Sequence, residues 1–79
     1  MHMPREFVFK GYSIYIYFKD HGAPHVHVVG HGNEVKIEIL TLKVVKNKGF
    51  AEHDINNLKK FIEKNRAYLA RRYDEVQKK

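Results

Sequence analysis

The chain has 79 residues, a formal net charge of +6 and no cysteine. This length suits one small domain, and the lack of cysteine excludes both disulfides and thiolate zinc sites. No segment has the length and apolar character of a membrane span or a secretory signal. We therefore expect a single cytoplasmic domain over residues 1–79, in which Met1-His2 is a remnant added for expression and Met3 is the natural first residue.

The positive charge is concentrated in the second half of the chain. Residues 1–42 hold four basic and four acidic side chains, whereas residues 43–79 hold eleven basic and five acidic ones. A one-sided basic surface favours an anionic partner such as nucleic acid or an acidic protein. The alternative is a solvated basic helix that only keeps the protein soluble. If the surface binds an anionic substrate, the expected contacts from this half are Lys59, Lys60, Arg71 and Arg72.

Alternating apolar and polar residues predict strands through the first half of the chain. The predicted strands are residues 6–9, 12–18, 25–29, 34–40 and a short fifth at 42–45. Gly30-His31-Gly32-Asn33 has the residue types of a hairpin turn. Asn47-Lys48-Gly49 is predicted to interrupt the pattern before the next element.

The second half has the spacing of an amphipathic helix. Its apolar residues recur at steps of three and four, and they are Ile55, Leu58, Ile62, Leu69, Tyr73 and Val76. Asn65 falls on this apolar stripe, so it marks either a kink or a break into two helices. We interpret the stripe as core, and His53 near the helix start as a surface residue.

These elements predict an α+β fold, a four- or five-stranded antiparallel β-meander with the C-terminal helix packed on one face. The residues expected on the covered face are Ile14, Ile16, Phe18, Val26, Val28, Val35, Ile37 and Ile39. Alternation then assigns to the opposite, uncovered face Tyr15, Tyr17, His25, His27, Glu34, Lys36 and Glu38. Since opposed residues in an antiparallel pair point the same way, we expect Tyr17 near His25 or His27, and Lys36 or Glu34 near His27.

A histidine cluster lies in the segment that joins the second and third predicted strands. Four of the six histidines fall between His21 and His31, within and just after the motif Asp-His-Gly-Ala-Pro-His-Val-His-Val. His25 and His27 are two residues apart, so on a strand both rings project from the same face. A hydrophobic core has little use for such a pair, and the pattern therefore indicates a site.

One interpretation of this face is phosphodiester chemistry on RNA. His25 and His27 would be acid and base in either order, and His21 would support them. Lys36 would stabilise developing charge, while Tyr15 and Tyr17 would stack bases or position the substrate. No cofactor is required for such a ribonuclease.

Three other interpretations remain open from the residues alone. A divalent metal would be held by His25 and His27 with His21, His31 or a glutamate. A non-catalytic module would dock nucleic acid or a partner chain on the tyrosine-bearing face or on an edge strand, and a homo-oligomer is one form of this. Without any site, the histidines would cap turns and the tyrosines would shield the sheet.

The histidine motif resembles a family of short bacterial proteins, domain of unknown function 4160. Its members begin Met-Pro and carry Asp-His-x-Pro-Pro-His-aromatic-His-Val after an aromatic and aliphatic strand. Asp20, His21, Pro24, His25, His27 and Val28 match, while Ala23 and Val26 depart from the pattern. Glu38-Ile39 and Thr41-Leu42 match a following strand and Thr-Leu pair, and Tyr73 stands where members have a tryptophan.

The resemblance implies a function as well as a fold. Genes of this family often lie beside another small domain, as in toxin–antitoxin pairs. The chain is thereby expected to be a toxin with a cognate antitoxin partner, and the analogy with other small basic toxins implies a ribonuclease.

Overall fold

The computed structural model describes residues 5–17 and 22–78. Five strands are followed by two helices: β1 (Arg5–Phe9), β2 (Tyr12–Tyr15), β3 (His25–Gly30), β4 (Asn33–Glu38), β5 (Val44–Lys48), α1 (Glu52–Lys64) and α2 (Arg66–Gln77). The strands form one antiparallel sheet in the order β1-β2-β3-β4-β5. The predicted α+β meander is confirmed, with five strands.

Tight turns join β1 to β2 and β3 to β4. Lys10 and Gly11 have φ angles of 51° and 83°, and His31 and Gly32 have φ angles of 51° and 79°. Two successive positive φ values match the twist of a two-residue hairpin. The second hairpin confirms the predicted turn, with Gly30 opposite Asn33.

The hydrophobic core lies between one face of the sheet and the two helices. The core residues of the strands and of the positions that directly follow β2 and β4 are fully buried, namely Ile14, Ile16, Val26, Val28, Val35, Ile37 and Ile39. The helices contribute the predicted apolar stripe, with Ile55, Leu58, Ile62, Leu69, Tyr73 and Val76 all buried. The predicted covered face is therefore confirmed, except that Phe18 lies outside the described residues.

Asn65 separates the two helices, so that of the two predicted alternatives, a kink and a break, the structure has the break. Its φ of −110° and ψ of 19° leave the helical region. Its side-chain Nδ2 donates to the carbonyl of Phe61 at 2.9 Å, and its backbone N–H donates to Phe61 and Ile62. These bonds satisfy carbonyls at the end of α1 that have no partner within the helix.

The fifth strand differs from its prediction. Leu42 has a φ of 64° and precedes the strand, which continues past Val45 to Lys48. The predicted interruption at Asn47-Lys48 is wrong, because the chain leaves the sheet only at Gly49, where φ is 97°. Asn47 fixes the backbone where the chain leaves the sheet. Its side-chain amide donates a hydrogen bond to the carbonyl of Phe50 and accepts one from the N–H of Phe50, both at 3.0 Å.

Two strands end earlier than predicted, whereas β1 and β3 each extend one residue beyond their predicted bounds. β2 ends at Tyr15 rather than Phe18, and β4 ends at Glu38 rather than Leu40. Within the described part of the chain, no helix is long and apolar enough to cross a membrane.

Candidate functional site

A row of polar residues crosses the sheet on the face opposite the helices. In the antiparallel register, Tyr15 lies opposite His27, His27 opposite Lys36, and Lys36 opposite Lys46. Residues paired in this way project their side chains side by side. The expected proximity of Lys36 to His27 is confirmed. The row places an aromatic ring, an imidazole and two ammonium groups in line across four strands.

A second row runs beside the first. Glu34 lies opposite Lys48, and its Oε2 atom is 3.4 Å from Nδ1 of His27. A pocket of about 260 Å³ forms where the two rows meet, and its lining residues are His27, Glu34, Lys36, Lys46 and Lys48. Among the described residues, the lining carries three lysines against one glutamate, and these charges give a positive potential that attracts anions.

Tyr17 covers one side of His27. Their ring centroids are 3.9 Å apart and their planes differ by only 13°, which is a stacked arrangement. The side chain of Gln77 donates a hydrogen bond to the carbonyl of Tyr17 at 2.7 Å. The end of α2 therefore fixes the backbone that carries this ring, and the expected contact between Tyr17 and a histidine is confirmed.

His25 has different surroundings from His27. The residue is 2% exposed, its ring centroid is 5.5 Å from that of Tyr73 on α2, and it does not line the pocket. Its Nδ1 atom is 2.7 Å from the carbonyl oxygen of Ala23. Because a carbonyl oxygen only accepts, Nδ1 carries a proton and donates it to this oxygen.

The expectation of an uncovered polar face is wrong at its two histidines. His25 is 2% and His27 9% exposed, because Tyr73 from α2 packs against the first and Tyr17 stacks on the second. The two rings also touch, with centroids 5.1 Å apart. Tyr15 keeps intermediate exposure, and its ring centroid is 6.3 Å from that of Tyr17.

Residues 11–74 match the sequence model of a family described as Domain of unknown function (DUF4160). The chain belongs to this family. No curated protein and no solved structure matches it significantly. All five residues that line the pocket lie within the DUF4160 match, whereas β1 and Gln77 lie outside it.

The helix cations predicted as substrate contacts lie on the other layer of this DUF4160 protein. Arg72 is held by the carboxylate of Glu6, at 3.1 Å, and by that of Glu75, at 2.9 Å. The hydrogen bonds that Arg72 donates, first to Glu6 and then to Glu75, raise the pKa of Arg72 above its ordinary value. The guanidinium of Arg71 lies 5.6 Å from the ring centroid of Tyr68.

Lys59 and Lys60 are carried by α1, which packs on the apolar face of the sheet. The lysine pocket lies on the opposite face. The structure therefore does not bring the four predicted helix cations together with His27, and their role in substrate binding stays a prediction.

His21 falls outside the described residues, so its predicted catalytic or metal-binding role also stays a prediction. Within residues 5–17 and 22–78, no three histidine or acidic side chains are grouped closely enough to hold a metal ion. The predicted metal-binding set of His25, His27 and His21 is therefore not tested, because His21 lies outside the described residues.

Sequence reasoning missed Lys46 and Lys48 as site residues. Val45 is the extra residue of a bulge that shifts the register between Lys36 and Ile37. Since a bulge interrupts the two-residue period, the alternation that predicted the other strands fails here. The sequence signal that could have found them is the spacing of Lys46 and Lys48, which are separated by one residue. Beyond the bulge, residues with this spacing again lie on the same face of the sheet.

Proposed function

We propose that this DUF4160 protein is the toxin-like component of a bacterial toxin–antitoxin module and that it acts on RNA in the cytoplasm. The observation that carries the proposal is the pocket in which His27 meets Glu34 and three lysines. A proton-transfer group surrounded by cations is what cleavage of a phosphodiester requires without a metal. The family resemblance supports the toxin role and a cognate antitoxin as partner.

His27 is the residue that exchanges protons with RNA in this proposal. Glu34 faces Nδ1 at 3.4 Å and favours the tautomer with the proton on that atom, so that Nε2 is the base. His27 takes the proton of the ribose 2′-hydroxyl, the 2′-oxygen bonds to phosphorus, and the bond to the 5′-oxygen breaks. Water supplies the proton that the leaving 5′-oxygen needs.

Lysines supply the charge stabilisation. Lys36 lies directly opposite His27 and is partly buried, while Lys46 and Lys48 on β5 close the other side of the pocket. Ammonium groups held by neighbouring strands are in place before the phosphate gains charge, which lowers the barrier to the reaction. His25 is a positioning residue behind His27, because it is buried against α2.

The test compares bacteria that express the wild type, His27→Gln and His53→Gln from an inducible promoter, with total RNA examined on a gel. His53 is an exposed histidine on α1, so its variant is a matched control. We expect growth arrest and fragmented RNA with the wild type and His53→Gln, and normal growth with His27→Gln. Normal growth with all three soluble proteins, or arrest with all three, would contradict the proposal.

A second candidate is a non-catalytic module that binds nucleic acid or a partner protein. The observation that favours it is the cluster of three lysines in the pocket, because phosphate attraction requires no proton transfer. In that case Lys46→Gln/Lys48→Gln weakens binding, whereas His27→Gln leaves binding intact and no RNA is cleaved by any form.

A further inference from the structure

The polar face of the sheet is divided into an aromatic half and a cationic half. Tyr15 lies on β2, whereas Lys36, Lys46 and Lys48 lie on β4 and β5. His27 on β3 is the only residue between them in the row. Over the four strands from β2 to β5, a ligand that follows this row therefore meets an aromatic ring at the β2 end and ammonium groups at the β5 end.

We propose that this face selects unpaired RNA, with a base stacked on Tyr15 and a phosphate in the lysine pocket. This rests on the proposed action on RNA and adds the strand state of the substrate. Only unpaired nucleotides offer a free base face to an aromatic side chain, whereas paired RNA presents phosphates and 2′-hydroxyl groups. A pocket of lysines alone would bind both paired and unpaired RNA, so the preference for unpaired RNA comes from Tyr15.

A base stacks on Tyr15 rather than on its neighbour Tyr17, because His27 already covers one ring face of Tyr17. Tyr17 turns one ring face to His27 at 3.9 Å, so its first task is to hold the imidazole. Tyr15 keeps intermediate exposure and lies directly opposite His27. A base on Tyr15 would therefore lie one strand spacing from the imidazole and two from Lys36.

The length of the row indicates an oligonucleotide rather than a single nucleotide. Four adjacent strands carry it, and three strand spacings measure about 14 Å. A stacked strand advances about 3.4 Å per nucleotide, so the row accommodates roughly four nucleotides. In this run of nucleotides, the base at the β2 end stacks on Tyr15 and the phosphates nearest β5 lie at the lysines.

The experiment measures fluorescence anisotropy with a labelled RNA of about 12 nucleotides, roughly three row lengths, in which every ribose is 2′-O-methylated. Methylation removes the nucleophile, so that binding is measured without cleavage. The same RNA is then annealed to its complement. We expect the single strand to bind about tenfold more tightly than the duplex, since stacking on an aromatic side chain contributes a factor of this order.

Two variants test which residues give the preference for single-stranded RNA. Tyr15→Leu should lower the affinity for the single strand about tenfold and leave that for the duplex unchanged, whereas Lys46→Gln/Lys48→Gln should weaken both. The matched control is Tyr68→Leu, which removes an exposed tyrosine on the helical layer and should change neither.

Each outcome has a separate meaning. Equal affinities for single strand and duplex, or no effect of Tyr15→Leu in a folded protein, would overturn selection of unpaired RNA while leaving the proposed function in place. Failure of the wild type to bind either RNA would overturn both.

Discussion

His25 and His27 show how two residues on one face of a strand acquire different roles. His27 lines a cationic pocket beside Glu34, while His25 is buried between Ala23 and Tyr73. One imidazole is placed where a ligand can reach it. The other satisfies a backbone carbonyl and fills space against α2.

His25→Ala should therefore lower the stability of the folded protein, because His25 acts by packing and hydrogen bonding rather than by proton transfer. The variant loses the bond to the Ala23 carbonyl and the packing against Tyr73, and we expect the free energy of unfolding to fall by about 2 kcal/mol. Urea denaturation measures this, with His53→Ala on exposed α1 as the control. A His25→Ala protein as stable as the wild type would show that the ring is not a positioning element.

Arg72 ties α2 to the first strand. It binds Glu6, whose side chain is only 4% exposed, across 66 positions of sequence. Arg72→Met would leave this carboxylate buried without its cation, and we expect a loss of about 2 kcal/mol in urea denaturation. Lys78→Met, which removes an exposed ion pair with Asp74, should leave the free energy of unfolding unchanged. Equal losses in the two variants would contradict this account.

The pH dependence of the stabilisation by Arg72 follows from the direction in which its pKa is shifted. The carboxylates raise the pKa of Arg72, so the protonated guanidinium is favoured in the folded state. Its stabilisation is fully present below the ordinary guanidinium pKa and is lost only as the pH rises above it. We expect the difference in unfolding free energy between wild type and Arg72→Met to stay constant from pH 7 to about pH 10. A difference that shrinks over this range would show that Arg72 loses its proton earlier.

Strand β5 places a positive charge where it opposes folding. Lys46 lies directly opposite Lys36, and like charges in such a pair are destabilising. Lys46→Gln should raise the free energy of unfolding by about 0.5 kcal/mol at low salt, with the gain vanishing at high salt. Urea is the suitable denaturant because it adds no ions.

The same substitution should weaken RNA binding, so stability and binding change in opposite directions. Lys60→Gln, an exposed lysine on α1, is the control and should change neither. If Lys46→Gln destabilised the protein, the two ammonium groups would not repel each other in the free state, and the pocket would lack the potential assigned to it.

The sequence predicts those elements whose period is uninterrupted. Clean alternation in β3 and β4 predicted which residues lie on each face of the sheet. It therefore predicted that Lys36 lies near His27, as it does. Asn65 stood out because a polar residue on an apolar stripe cannot be buried without partners, and it does end a helix. The bulge at Val45 removed the period of β5, so that Lys46 and Lys48 were assigned to no site.

Burial of the histidines depends on contacts that are distant in sequence. Alternation assigned His25 to the polar face, but it gives no information on where α2 ends relative to the sheet. Gln77 reaches the carbonyl of Tyr17 across 60 positions, and Tyr73 approaches His25 from the same helix. Such approaches depend on how the helix layer is set on the sheet, which no local pattern encodes.

In the molecule as a whole, the sheet separates the hydrophobic core from the candidate site. The apolar face and the two helices hold the buried core, while the opposite face holds the pocket. Substitutions at the lysines of the pocket therefore leave the core untouched. Loss of function in such variants can be attributed to the pocket once folding is verified.

The proposed function requires His27 to transfer protons on RNA in the lysine pocket. Its most direct test incubates purified wild type, His27→Gln and His53→Gln with end-labelled single-stranded RNA in the presence of a chelator. We predict fragments that end in a 2′,3′-cyclic phosphate with the wild type and His53→Gln, and intact RNA with folded His27→Gln. Equal cleavage by His27→Gln, or intact RNA with all three proteins, would contradict the account.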